Sequence, residues 1–171
     1  LGSILFILVY AFVLSRMLNT NIWGKSLFRS IFFLPYVMPA IGVTILWSWI
    51  YNADFGLMNS FTSLFGASKS LWIYGEKTAI TSLWIMAVWA SGNYIIIFLA
   101  GLQGVPQSLV EAVAIDGGNA FHKLIYVTIP MVTPTIFFNF LMGMINHLQN
   151  FIPVYAITQG GPNNATLFTV Y

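Results

Sequence analysis

The chain has 171 residues, of which 58% are hydrophobic and only 6% charged, with a net charge of +2 and no cysteine. Soluble globular domains carry about 25% charged residues, so an ordinary soluble domain is excluded. The small net charge without a basic block excludes a nucleic-acid track, and the absence of cysteine excludes disulfides, thiolate metal sites and a cysteine nucleophile.

Crossing a bilayer takes about 20 apolar residues in a helix. Segments 1–18, 31–51, 78–100 and 131–152 meet or approach that length, and a further apolar run begins near Thr166. A barrel strand would alternate apolar and polar residues, which 4–14 does not do. Backbone in lipid must also satisfy its own polar groups. The expected fold class is therefore all-α, a polytopic transmembrane helix bundle. Apolar runs at both ends, without the ordered parts of a signal peptide, lead us to expect a fragment lacking N-terminal and C-terminal helices.

In chain order, 16–30 carries Arg16, Lys25 and Arg29 with no acid, and the positive-inside rule places it in the cytoplasm. Residues 52–77 hold Asp54, Lys69, Glu76 and Lys77, which cancel and suit the outer side. By alternation 101–129 is cytoplasmic and 153–165 is outside. Trp47, Trp49, Tyr51, Trp72 and Tyr74 fall near the expected outer ends, as an aromatic belt does. Pro35, Pro39, Pro130 and Pro134 are expected to kink the second and fourth spans. Thr44 and Ser48 are expected to bond to their own helix. Ser91, Gly92, Asn93 and Tyr94 form a polar patch in the third span, which close packing through Ser91 and Gly92 would explain.

The stretch 101–130 differs from the rest. Pro106 suits the first turn of a short helix, where its missing N–H costs nothing. Leu109, Ala112 and Val113 share a face with Glu111 to its side, Gly117-Gly118 ends the helix, and Asn119 caps a second one. A helix of roughly ten residues is marginal alone in water, so it requires a surface to pack on. The fourth span carries Asn139, Asn146, His147, Gln149 and Asn150. Asn139, Gly143, Asn146 and Asn150 lie on one helical stripe, with His147 beside it. Polar groups at membrane depth face a protein interior or a wet cavity. They serve either as ties between helices or as a wall for a polar solute. Amides and an imidazole near Phe140 and Phe151 suit a neutral sugar, by hydrogen bonds to hydroxyls and stacking on the ring. A lone His147 without an intramembrane carboxylate makes a poor proton relay.

Glu111-Ala112-Val113, Gly117, Val127, Ile129 and Pro130 resemble the EAA loop of binding-protein-dependent ABC permeases, patterned E-A-A, three residues, G, nine residues, I-x-L-P. Val113, Val127 and Ile129 depart from it by apolar exchange. Two further stretches resemble the sugar-permease branch of the maltose and glycerol-phosphate type. These are Phe28-Arg29-Ser30-Ile31-Phe32-Phe33-Leu34-Pro35-Tyr36-Val37-Met38-Pro39, followed after the helix by Asn52-Ala53-Asp54-Phe55-Gly56-Leu57, and Thr158-Gln159-Gly160-Gly161-Pro162. The resemblance implies a transmembrane domain over 1–171, holding the second to fifth core helices and the start of the sixth, with a cytoplasmic coupling loop at 101–130. It implies coupling residues Glu111, Ala112, Val113, Asp116, Gly117 and Pro130, with Glu111 facing the ATPase and Gly117 supplying the turn between two short helices. It also implies a substrate pathway through Asn146, His147 and Asn150, joined by Ser91 and Tyr94.

The implied partners are two cytoplasmic ATP-binding subunits, a second permease subunit (homologous or identical), an extracytoplasmic substrate-binding protein at 52–77 and 153–165, and membrane lipid, with no nucleic acid. The implied location is a plasma membrane, bacterial inner or archaeal. No catalytic residue, metal or cofactor is expected in this chain. ATP and Mg belong to the partner, since no G-x-x-x-x-G-K-[ST] loop occurs here. A secondary transporter or channel would place a carboxylate or a ring of charge in the membrane, whereas Asp54, Glu76, Glu111 and Asp116 all fall in connections. A membrane enzyme lacks a plausible catalytic set. Within the family, glycerol phosphate, a polyamine or another polar solute is the alternative cargo.

Overall fold

The computed structural model describes residues 2–20, 23–66 and 68–149. These form α1 (Gly2–Leu18), α2 (Lys25–Val37), α3 (Ala40–Ile50), α4 (Leu57–Ser63), a 3-10 turn (Trp72–Tyr74), α5 (Ala79–Trp89), α6 (Gly92–Gln103), α7 (Gln107–Ile115), α8 (Ala120–Lys123), a π turn (Leu124–Thr128) and α9 (Ile129–Leu148). No strand occurs among the described residues. The last apolar run, near Thr166, lies outside them.

Helix boundaries depart from the expected spans at three places. The second span divides at Met38–Pro39: Pro39 takes an extended conformation (φ −58°, ψ 130°) ahead of α3, and a residue before proline is pushed away from helical geometry. Pro35 stays inside α2. The third span divides at Ala90–Ser91, between α5 and α6. The fourth begins far earlier than residue 131, because α8, the π turn and α9 run as one apolar helix of 29 residues, Ala120–Leu148, long enough to cross a membrane. The wider π turn precedes Pro130, whose ring would clash with the carbonyl one turn back in a regular α-helix. Within that turn the Thr128 hydroxyl donates to the Lys123 carbonyl at 3.1 Å. The pairs α2 with α3 and α5 with α6 each have the apolar length of a span only when taken together.

Contacts divide the chain into two compact units. The first comprises residues 1–36 and 91–144. Its main seam is α1 on α6: Ile4, Ile7, Leu8, Ala11, Ser15 and Leu18 are buried, as are Ile95, Phe98, Leu99 and Leu102. Both sets recur at three- and four-residue intervals, the period of one helix face. Phe12 and Phe98 meet edge to face at 5.5 Å. Leu5, Phe6, Val9, Val13 and Met17 on α1 stay exposed, an apolar surface suited to lipid. In lipid, packing and interhelical hydrogen bonds rather than water exclusion hold such seams together. Small residues permit the approach, and Gly92 is the extreme case: a Cβ there would strike the Phe32 carbonyl oxygen. On α9, Val132, Asn139 and Gly143 are buried.

The second unit comprises residues 37–90 with 145–171, of which 150–171 lie outside the described residues. Trp47, Tyr51, Ile73 and Met86 make its core. Trp47 stacks on Tyr51 at 5.0 Å, Tyr51 on Trp72 at 5.7 Å, and Trp89 meets Trp47 edge-on at 5.7 Å. Of the five residues assigned to an aromatic belt, Trp47, Tyr51 and Trp72 thus pack inward, while Trp49 and Tyr74 are exposed. The Tyr51 hydroxyl donates to the Ser82 carbonyl at 2.9 Å.

Asn59 ties the connection between α3 and α5. Its Nδ2 donates to the carbonyls of Ala53 (3.0 Å) and Ser70 (2.9 Å). Its Oδ1 accepts from Ser70 N (3.1 Å) and Trp72 Nε1 (2.7 Å). This clamp holds Trp72 in the left-handed region, φ 42°, an unfavourable place for a bulky residue that its surroundings must enforce. Thr44 and Ser48 donate to Ala40 and Ile45 of their own helix, at 2.8 and 2.7 Å.

Candidate functional site

The segment 101–130 is built largely by local chemistry. Pro106, extended at φ −62° and ψ 128°, precedes α7 and offers its first turn no side-chain cap. At the other end Gly118 N donates to Val113 O at 2.8 Å and Gly117 N to Ala114 O at 3.2 Å. This pair of bonds closes a helix when the residue after the cap turns left-handed. Gly117 does so, at φ +78°, where a side chain would be strained. Asn119 then starts α8: its Oδ1 accepts from Phe121 N and His122 N, each at 3.0 Å, while its own N–H points to His122 Nδ1 at 3.4 Å. The exchange is a capping box with histidine in the third position.

Between Pro106 and the glycine turn α7 has no fully buried residue. Leu109 is 42% exposed and Ile115 86% exposed. Glu111, Ala112, Asp116, Gly117 and Pro130 are exposed as well, and only Val113 is half-buried. A Cβ on Gly118 would come within 2.5 Å of Val113 Cγ1, so Val113 packs on the glycine turn. Nine residues are too few for a stable isolated helix. The glycine turn at its end and the Val113 contact therefore preorganise an apolar and acidic face that the described residues leave uncovered.

The proposed pathway residues fall into separate places. Ser91 and Tyr94 are buried in the first unit. Asn139 is fully buried there, and its Nδ2 donates to the Tyr94 carbonyl at 3.3 Å, tying α9 to α6. Its Oδ1 has no hydrogen-bond partner among the described residues. A Cβ on Gly143 would stand 3.2 Å from Ile4 Cγ2 and 3.8 Å from the Tyr94 hydroxyl. The stripe from Asn139 to Gly143 is thus a packing seam. Farther along α9, Asn146 is exposed and His147 half-buried, both in the second unit. Asn150 and the motif 158–162 lie outside the described residues.

The described residues are helical, carry extensive exposed apolar surface and leave α7 uncovered. Over residues 3–171 the chain matches, and belongs to, the family described as the binding-protein-dependent transport system inner membrane component. It is 35% identical over 162 residues to the probable ABC transporter permease protein YesP of Bacillus subtilis (strain 168), covering 92% of this chain and 52% of that protein. It is 33% identical over 150 residues to the trehalose/maltose transport system permease protein MalF of Thermococcus litoralis, covering 87% and 51%. It is 31% identical over 159 residues to the multiple sugar-binding transport system permease protein MsmF of Streptococcus mutans, covering 93% and 55%. The chain spans about half the length of these relatives. In fold it resembles a chain of a bacterial ABC transporter involved in the import of the acidic polysaccharide alginate, with TM-score 0.78 at 17% identity, covering 98% of this chain and 62% of that one.

Proposed function

We propose that this chain forms the membrane path of an ATP-driven importer for a carbohydrate, in a bacterial inner or archaeal plasma membrane, and that α7 is where an ATPase subunit transmits its motion. The observation that carries this reading is the uncovered α7, opened by Pro106 and closed by the Gly117-Gly118 turn, in a chain of this family. A short helix with no fully buried residue among the described residues is stabilised when a partner covers Leu109, Ala112 and Ile115. Glu111, with Asp116 at the end of the same helix, would meet the rim of that partner.

In the assembly this chain pairs with a second permease subunit, homologous or identical, and each permease receives one ATPase subunit. ATP and Mg are held by those subunits. ATP-driven closure of the ATPase pair draws the two short helices together. Because α7 joins α6 through Gln103 to Pro106, and α9 through the continuous helix from Ala120, displacement of α7 is passed to membrane-spanning helices at both ends. A soluble binding protein delivers substrate to 52–77 and 153–165 on the outer side. Relatives named for trehalose/maltose and multiple sugars, together with amide and imidazole groups on α9, support a neutral carbohydrate. A relative named for sn-glycerol-3-phosphate is 29% identical, but few basic groups in the spans make an anionic cargo the lesser fit.

Uptake by the reconstituted transporter, measured across a panel of mono-, di- and oligosaccharides, tests this. His147→Leu is expected to weaken uptake of the preferred sugar about tenfold, the worth of one hydrogen bond to substrate, while assembly and ATPase binding persist. Unchanged uptake across the panel contradicts a pathway role for His147, and loss of assembly assigns it to helix packing.

A further inference from the structure

A cleft of about 530 Å³ opens in the first unit where the ends of α1 and α6 meet the starts of α7 and α8. Arg16, Asn19 and Thr20 come from α1 and the turn after it. Gln103 and Gln107 flank the start of α7, and Lys123 and Thr128 come from the long helix. Two basic residues near a membrane surface are ordinary by themselves. Here both line one cleft, together with three side-chain amides and no carboxylate among the described lining residues. The Thr20 and Thr128 hydroxyls already donate to the Met17 and Lys123 carbonyls. The donors left for a ligand are therefore the guanidinium, the ammonium and the amides of Asn19, Gln103 and Gln107. Part of the Arg16 charge offsets the carboxyl end of α1, in whose last turn it lies. Lys123 has no such neighbour at its own position, since the helix continues through the π turn. The uncapped first turn of α7, where Gln107 sits, adds partial positive charge on the same side.

A donor-rich, carboxylate-free cleft with two cations recognises a phosphate group. We propose that it binds phosphate presented as the headgroup of an anionic phospholipid from the adjacent leaflet. The exposed apolar side chains Val13 and Met17, which flank the lining residue Arg16 on α1, and Tyr126, between the lining residues Lys123 and Thr128 in the chain, offer acyl chains a surface leading to the cations, which a free anion would not need. A bound headgroup would brace α7 against α1 and α6. The binding itself does not depend on the import reading, whereas a consequence for ATPase coupling rests on it.

The test uses the full-length permease within its transporter complex, in nanodiscs of phosphatidylglycerol and phosphatidylcholine mixed equally. Lipid retained after detergent extraction is counted by native mass spectrometry. Phosphatidylglycerol is expected to be retained selectively by the parent complex, and retention is expected to fall roughly tenfold or more in Arg16→Gln/Lys123→Gln. The charge-keeping Arg16→Lys/Lys123→Arg variant should keep most of it, which separates lost binding from lost folding. Added inorganic phosphate should compete only weakly. Equal retention of the two lipids, or equal retention in parent and glutamine variant, overturns the proposal. Phosphate binding to the delipidated complex that needs both cations, without selective lipid retention, overturns the lipid source. Retention that appears only after the ATPase subunits are stripped off assigns the cleft to a protein partner and overturns it as well. Because the readout is binding rather than uptake, failure here leaves the import reading standing.

Discussion

Glu111→Lys is expected to reduce uptake by about two orders of magnitude while leaving the chain folded. Glu111 is exposed on α7, where no residue is fully buried among the described residues, so the substitution removes no packing of its own here. Exposed substitutions away from special features change stability by about 0.5 kcal/mol or less. Against a partner the same change reverses a charge at the edge of a docked face, and juxtaposed like charges cost several kcal/mol. A loss of roughly 2.7 kcal/mol corresponds to a hundredfold weaker association. The measurement is paired: uptake in reconstituted vesicles, and the amount of ATPase subunit that co-purifies. Both are expected to fall together, with the thermal midpoint of the permease unchanged. Normal uptake with normal co-purification removes Glu111 from the coupling face.

Gly92→Ala is expected to fail for the opposite reason, inside the fold. Its Cβ would strike the Phe32 carbonyl oxygen and lie 3.0 Å from both the Phe32 carbonyl carbon and Phe33 Cα. These are backbone atoms of α2, so no rotamer change relieves the clash, and α6 must move off α2. Overpacking of this kind costs about 1–3 kcal/mol, occasionally more, and in a chain of this size lowers the unfolding midpoint by several degrees. Gly92→Val carries two methyl groups more than Gly92→Ala and should abolish assembly. Gly42→Ala is the control, because a Cβ there meets nothing within 4 Å. Equal thermal midpoints for Gly42→Ala and Gly92→Ala would mean that α2 and α6 do not pack so closely.

Much of this architecture is written in local chemistry. Scarce charge and long apolar runs announce an all-helical membrane chain. Pro106 and Gly117-Gly118 mark the bounds of α7, and Asn119 the start of α8, because caps and left-handed turns are decided within a few residues. Tertiary packing decides the remainder, and there the sequence misleads. Ala90–Ser91 carries no proline, yet the helix breaks there, next to the glycine that must pass the Phe32 carbonyl. Pro130 suggests a helix start, but a π turn absorbs it and the helix runs through. Trp47, Tyr51 and Trp72 suggest an interfacial belt, yet their rings stack at the core of the second unit, with Trp72 held by Asn59, whose four bonds no periodicity announces. Arg16 and Lys123 lie far apart in sequence, so their shared cleft emerges only once α1 and the long helix are placed. Asn139 and Asn146 share a helical stripe in the sequence, yet one is a buried tie and the other is exposed. Spacing alone does not distinguish glue from a solute-facing group.

The central claim is that α7 faces the cell interior and seats on an ATPase subunit. These 171 residues hold no cysteine, so in a full-length permease with any other cysteines replaced, Ala112→Cys places a single thiol on the exposed face of α7. In membrane vesicles of known orientation, a membrane-impermeant maleimide is predicted to label it only from the cytoplasmic side. A short bifunctional crosslinker is predicted to join it to the ATPase subunit, in a yield that changes when ATP is added. Labelling from the outer side, or a full-length complex in which no crosslink to the ATPase subunit forms, would contradict the account.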